Sequence, residues 1–299
     1  MRELVRELAL ALRERVLPLL GAHAQRAHSG EAAGGDVTFA IDAAAEELLE
    51  RFLSERAPDV AFYSEDRGLV AADGAQAVLV VDPIDGTRPA LAGLESCCVS
   101  IAAAPLAGEP RFRDITHACV VEIKSGNVFL TGETDPRLSA NDRIERMFWA
   151  FGFRGRPARE LIEVLADLID ASSVGGAVFD LGSSAFNMTR VLTGQLDAVI
   201  EPSSLIYQEI PELRAEFERI GNGAVLTNPP YDIAGAWALL REAGAVVTDA
   251  RGRRLDDLPL LGSGAEHQTS YVASANAALH EAILEEIDGG ITRLRATRE

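Results

Sequence analysis

The feature that most constrains this chain is an unbroken apolar run, Ala77-Val78-Leu79-Val80-Val81, that passes straight into Asp82-Pro83-Ile84-Asp85-Gly86-Thr87. A short apolar run without polar alternation reads as a strand buried on both faces. Pro83 has no N–H to give to a ladder and ends the pairing, and Gly86 lets the chain turn closely. Two carboxylates three residues apart therefore stand at a strand end, where they can share or flank a hard divalent ion. If a helix starts after Gly86, its first N–H groups are placed to cradle a phosphate. Taken alone, the same residues also suit a turn with two solvated aspartates.

The rest of the chain mixes helices and strands. Leu4, Val5, Leu8, Leu10, Leu12, Val16 and Leu19 predict an amphipathic helix over 2–20, and a second is predicted over 41–53. Residues 23–35 read as a loop. Strands are predicted at 60–63, 77–81, 97–104, 118–123 and 127–130, the last two paired across Lys124-Ser125-Gly126. The polar stretch 131–145, with Pro136 and Asn141-Asp142, marks a boundary between halves 1–140 and 141–299. Beyond it, helices are predicted over 157–169, 183–192 and 232–243, and strands over 147–151, 196–200 and 245–248. Without strict βαβ alternation the class is α/β or α+β with at least two sheets.

Charge narrows the partners. With 28 Lys and Arg against 46 Asp and Glu the formal charge is −18, which disfavours nucleic acid and anionic membrane. The charges at Arg2, Glu3, Arg6, Glu7, Arg13, Glu14 and Arg15 argue against a signal peptide or a span at residues 1–20. Cys97, Cys98 and Cys119 lack metal-ligand spacing and sit in apolar runs, as expected of buried, reduced thiols in a cytoplasmic protein.

Two further acidic elements stand at predicted element ends: Ser64-Glu65-Asp66 after a strand, and Tyr231-Asp232-Ile233-Ala234-Gly235 opening a helix. With Asp36-Val37-Thr38 and Asp42, Asp82 to Thr87, Gly182-Ser183-Ser184-Ala185, and Gly194 to Ala198 with Glu201, they make an ordered series. In this series the chain resembles the inositol monophosphatase family, magnesium-dependent and lithium-sensitive phosphatases. The resemblance covers most of the chain, and its central hexapeptide is highly specific. It implies a layered αβαβα sandwich with two sheets, a homodimer, and hydrolysis of a small phosphorylated metabolite, most simply inositol monophosphate, with two or three Mg²⁺ per site. It also implies inhibition by Li⁺.

Residue by residue, the resemblance implies that Asp82 bridges two metal ions, that Asp85 and Asp232 complete one site, and that the Ile84 carbonyl with Glu65 or Asp66 completes the other. It implies that Thr87, hydrogen-bonded to Asp36, helps orient the attacking water. The amides of Gly86 and Thr87 would hold the phosphate, and Ser183, Ser184 and Glu201 would contact the alcohol part. The physical logic is consistent: a phosphomonoester dianion repels hydroxide and leaves as a poor alkoxide, and divalent ions relieve both problems without a phosphoenzyme.

Four positions depart from the family pattern. The acidic pair is Glu65-Asp66 where two Glu are usual, leaving either as the ligand. Arg88 follows Thr87 and suits a second anionic group or a solvated rim. Tyr231 stands for Trp. Residues 202–230 form an insert resembling a short amphipathic helix, suited to a lid, a dimer element or a surface excursion. Related substrates remain open: histidinol phosphate, 3′-phosphoadenosine 5′-phosphate and fructose 1,6-bisphosphate. A haloacid-dehalogenase-type mechanism fails on spacing, since Pro83 occupies the place two before Asp85. A non-catalytic metal- or phosphate-binding protein keeping the fold is the alternative of another class.

Overall fold

The computed structural model describes residues 1–32, 35 and 37–298, with Glu31 described in its backbone alone. In chain order the first part forms α1 (Arg2–Val16), β1 (His28–Glu31), β2 (Val37–Phe39), α2 (Ala40–Arg56), β3 (Val60–Ser64) and β4 (Gly68–Val70). It continues with β5 (Ala77–Asp85), α3 (Thr87–Ala92), β6 (Cys98–Pro105), β7 (His117–Glu122) and β8 (Val128–Leu130). Then come β9 (Phe148–Ala150), α4 (Ala158–Ser172), β10 (Ala177–Phe179), α5 (Ser184–Leu192), β11 (Ala198–Glu201), α6 (Ser203–Glu209) and α7 (Arg214–Ile220). The chain closes with α8 (Pro230–Glu242), β12 (Val246–Thr248), β13 (Tyr271–Ser274) and α9 (Ala277–Ala296).

Two large sheets organise these elements. One has the order β4-β3-β5-β6-β7-β8 and the other β10-β9-β11-β13-β12, while β1 and β2 form a separate ribbon. On one face of the six-stranded sheet, Val5, Leu8 and Leu12 of α1 and Leu49 of α2 bury against Leu79, Ile101 and Val121. On its other face, α5 and α8 fill the space up to the second sheet, with Met188, Val191, Ile233 and Leu240 between Val80 and Val199. Trp149 and Val272 face the opposite way, onto Leu165 of α4 and Ile283 of α9. The result is the expected αβαβα sandwich. Strand β5 lies in the middle of its sheet with helices on both sides, which is why its residues 77–81 are all apolar.

Several details differ from the sequence expectations. Residues 23–35, expected as a loop, include β1, which pairs antiparallel with β2. Strands β4, β10 and β13 and helix α9 were not anticipated. The strands are three or four residues long, too short for periodicity to show, and Gly289-Gly290 interrupts the helical pattern of α9. The insert forms two helices, because Pro211 stops α6. Leu205, Ile206, Leu213 and Phe217 of the insert are buried in the same cluster as α4 and α9. The three cysteines are buried and free. Among the described residues no helix is long and apolar enough to cross a membrane.

Candidate active site

Strands β3 and β5 are parallel neighbours, in register from Val60 opposite Ala77 to Ser64 opposite Val81. Their carboxyl ends therefore coincide, and Glu65 leaves one strand beside Asp82 on the other. Between β5 and β6 the ladder shifts by a residue: Asp82 opposes Ser100, but Asp85 opposes Cys98. Pro83 sits at this irregularity, as its missing donor requires. The Ile84 N–H donates to Asp82 Oδ1 at 3.0 Å, which folds the strand end over its own carboxylate.

Gly86 then takes φ 89°, in the left-handed region, and α3 starts at Thr87. A Cβ at Gly86 would stand 2.6 Å from the Ser96 carbonyl oxygen and 2.9 Å from Ser183 Cβ. Both the turn and the close approach of α5 thus demand glycine. Helix α8 is seated by a second such contact, since a Cβ at Gly235 would meet Ser100 Oγ at 2.6 Å. That close packing on β6 brings Asp232, in the first turn of α8, into the pocket that Glu65, Asp82 and Asp85 also line.

Asp85 is buried and closes the start of α5. The Ser183 hydroxyl donates to its Oδ2 at 2.7 Å, the Ala185 N–H donates to the same oxygen, and the Ser184 N–H reaches Oδ1 at 3.3 Å. Burial raises the Asp85 carboxyl to about 6, with these donors pulling it back. Glu65, Asp82 and Asp232 are pushed well above the ordinary carboxylate range, first by burial and then by a neighbouring carboxylate, Asp232 for Glu65 and Asp85 for Asp82 and Asp232. For Asp232 the guanidinium groups of Arg154 and Arg156 offset part of this.

Such a set of acids in one pocket invites a cation. All the donors are oxygens, including the Ile84 carbonyl, which suits Mg²⁺ better than a soft metal. Among the described residues, no three acidic side chains stand together as a ready chelate. The donor chemistry nonetheless fits: a divalent ion relieves the repulsion among four carboxylates on one pocket.

The two members of the acidic pair are placed differently with respect to the main pocket. Glu65 lines the main pocket. Asp66 accepts the Thr38 hydroxyl at 2.6 Å, and both acids line a small neighbouring hollow with Asp42, Glu46, Asp82 and Ile84. Thr87 donates to the Ile84 carbonyl at 3.2 Å, and its hydroxyl also faces the Asp42 carboxylate. Asp36, expected beside Thr87, lies outside the described residues. Asp42, in the first turn of α2, occupies the neighbourhood expected of it and is raised to about 7 by burial. Arg88 lines the pocket with its guanidinium 5.6 Å from the Phe39 ring centre, and the charges of Glu65 and Asp42 act on it.

On the alcohol side the expected contacts are partly engaged within the protein. Ser184 Oγ donates to Asn228 Oδ1 at 3.2 Å. Glu201, only 3% exposed, forms an ion pair of 2.6 Å with Arg156, itself 7% exposed. Its other oxygen accepts the Gly152 N–H at 2.7 Å, and Asn228 Nδ2 adds a bond of 3.3 Å. Arg156 also donates to Ser203 Oγ at 3.1 Å. Arg154, Arg156, Asn187, Asn228 and Tyr271 line the pocket without having been singled out from the sequence. Arg154-Gly155-Arg156 after an apolar run was a signal, two cations at a strand end in an acidic chain. Tyr271 gave none, because β13 itself was not legible.

Three comparisons place the chain among known proteins. It is 27% identical over 289 residues to the fructose-1,6-bisphosphatase/inositol-1-monophosphatase of Thermococcus kodakarensis, covering 95% of each chain. It is 28% identical over 228 residues to the inositol-1-monophosphatase of Mesorhizobium japonicum, covering 73% of this chain and 74% of that one. Its fold matches the crystal structure of the extragenic suppressor protein suhB from Bartonella henselae with a TM-score of 0.70 at 19% identity, covering 95% and 97%. Residues 1–291 match the family model described as the inositol monophosphatase family, and the chain belongs to that family.

Proposed function

We propose that this chain is a Mg²⁺-dependent phosphatase that hydrolyses a small phosphomonoester, with inositol monophosphate as its first candidate substrate. The observation that supports this most is the convergence of Glu65, Asp82, Asp85 and Asp232 on one pocket, next to the turn at Gly86. Family membership supports phosphatase chemistry, and the names of the Thermococcus and Mesorhizobium relatives support inositol phosphate, with fructose 1,6-bisphosphate beside it.

In this proposal Asp82, Asp85, Asp232, Glu65 and the Ile84 carbonyl hold the metal ions. Bound there, the ions supply charge neutralisation of the phosphate and a lowered pKa for the attacking water. Glu65 is favoured over Asp66, whose carboxylate is engaged by Thr38. The amides of Gly86 and Thr87 face the phosphate at the start of α3. Thr87 and Asp42 form a hydroxyl–carboxylate pair that can hold the attacking water and take up its proton. Ser183 orients Asp85, and the Arg156–Glu201 pair stiffens the wall for the alcohol part.

Specificity constants with Mg²⁺ for inositol 1-phosphate, fructose 1,6-bisphosphate, histidinol phosphate and 3′-phosphoadenosine 5′-phosphate test the proposal. Turnover led by inositol 1-phosphate is the expected result. No metal-dependent turnover of any of them would point to a binding protein that keeps the fold.

A further inference from the structure

Glu201 is the residue the family resemblance assigns to the substrate's alcohol, yet both its oxygens already accept bonds from Gly152, Arg156 and Asn228. The adjoining strand offers another group. In the antiparallel pair of β11 and β13, Tyr271 lies directly opposite Glu201. Residues so paired project from the same face of a sheet, and here that face is the pocket wall. Tyr271 is fully buried and lines the pocket. Its hydroxyl closes no well-formed hydrogen bond among the described residues; the Ser184 side chain interacts with it but donates its own proton to Asn228 Oδ1. Asn187, also lining the pocket and 4% exposed, has an Oδ1 in the same condition. A buried phenol is rarely left unpaired unless something else completes it.

We propose that Tyr271 is a specificity-determining contact of this phosphatase, its hydroxyl bonding a hydroxyl group of a polyhydroxylated phosphomonoester, with Asn187 Oδ1 as a second acceptor. The proposal rests on the phosphatase reading of the pocket for the placement of the phosphate. It shifts recognition of the alcohol part from the Glu201 carboxylate to an uncharged phenol, which both donates and accepts and so suits a neutral polyol.

Tyr271→Phe removes one oxygen and keeps the ring. The test is calorimetric titration of the full-length protein in Mg²⁺ with myo-inositol 1-phosphate and with phenyl phosphate, which carries no hydroxyl. Heat of turnover gives KM where the ester is hydrolysed, and heat of binding gives Kd where it is not. The expected result is that Tyr271→Phe weakens apparent affinity for inositol 1-phosphate about 10-fold, leaves phenyl phosphate unchanged, and does not lower Tm. An equal loss on both esters with a lowered Tm would make Tyr271 a structural residue and overturn the proposal. No change on either ester would also overturn it. Wild-type binding without hydrolysis would sink the phosphatase reading while the ratio of the two affinities still judges Tyr271. Failure of the wild type to bind either ester would overturn both.

Discussion

Replacing Arg156 by Met should unfold the wall of the pocket more than any surface change of equal size. Arg156 is 7% exposed and Glu201 3%, and the two groups meet at 2.6 Å. In Arg156→Met the Glu201 charge stays buried with only the Gly152 N–H and Asn228 to stabilise it. Leaving one member of a buried pair alone costs about 3–5 kcal/mol. In a protein of this size each kcal/mol moves Tm by about 2–4 °C, so a fall of roughly 10 °C follows. The double variant Arg156→Met with Glu201→Gln removes the orphaned charge and keeps an acceptor for Gly152. It should recover most of the loss, giving a coupling of about 2 kcal/mol or more. Urea unfolding of the four proteins of the cycle measures this. If the single variant costs under about 1 kcal/mol, or the double is no better than the single, the ion pair is not what holds this wall.

Other consequences are checked separately. Glu46 is buried, accepts the Ser64 hydroxyl at 2.8 Å, and is raised by burial from 4.5 to about 7. The folded protein therefore keeps a proton that the unfolded chain releases, so in EDTA the contribution of Glu46 to stability should be lost as pH rises from about 4.5 to 7. Glu46→Gln should remove its share of that slope, leaving those of Asp42 and Asp85, and gain about 2–3 kcal/mol at pH 8, read by denaturation at several pH values. Gly86→Ala puts a Cβ where Ser96 and Ser183 already stand, and should lose about 2 kcal/mol or more together with most turnover. Glu65→Gln should raise the Mg²⁺ concentration for half-maximal activity about 10- to 100-fold, whereas Asp66→Asn should shift it much less; the reverse order would hand the ligand role to Asp66.

Long apolar segments made much of this fold legible in advance. The run 77–81 read as a buried strand because it has helices on both faces; α1 and α2 announced themselves by their apolar stripes, and α4, α5 and α8 by Pro157, Gly182-Ser183-Ser184 and Gly244 at their ends. The layered sandwich itself came from resemblance, since periodicity alone gave only a mixed class with two or more sheets. Short elements were lost: β4, β10 and β13 hold three or four residues each, and their pairing is set by neighbours distant in sequence.

The same division holds in the pocket. Asp82, Asp85 and Glu65 were visible because they end strands that could be seen. The engagement of Glu201 by Arg156 was not, because 45 residues separate them and only the parallel pairing of β9 with β11 brings them together. Asp42 was quoted within the motif but passed over in favour of Asp36. Its position in the first turn of α2, facing Thr87, depends on how α2 packs rather than on local sequence.

The central claim is that the acids around Asp82 hold a divalent ion on which hydrolysis depends. The most direct measurement is the initial rate of inositol 1-phosphate hydrolysis against free Mg²⁺, for the wild type and Asp82→Asn, after exhaustive treatment with EDTA. The expected result is no turnover without Mg²⁺, a saturable rise for the wild type, and no rise for Asp82→Asn at any practical concentration. Turnover that persists in EDTA, or near-normal rates in Asp82→Asn, would contradict it.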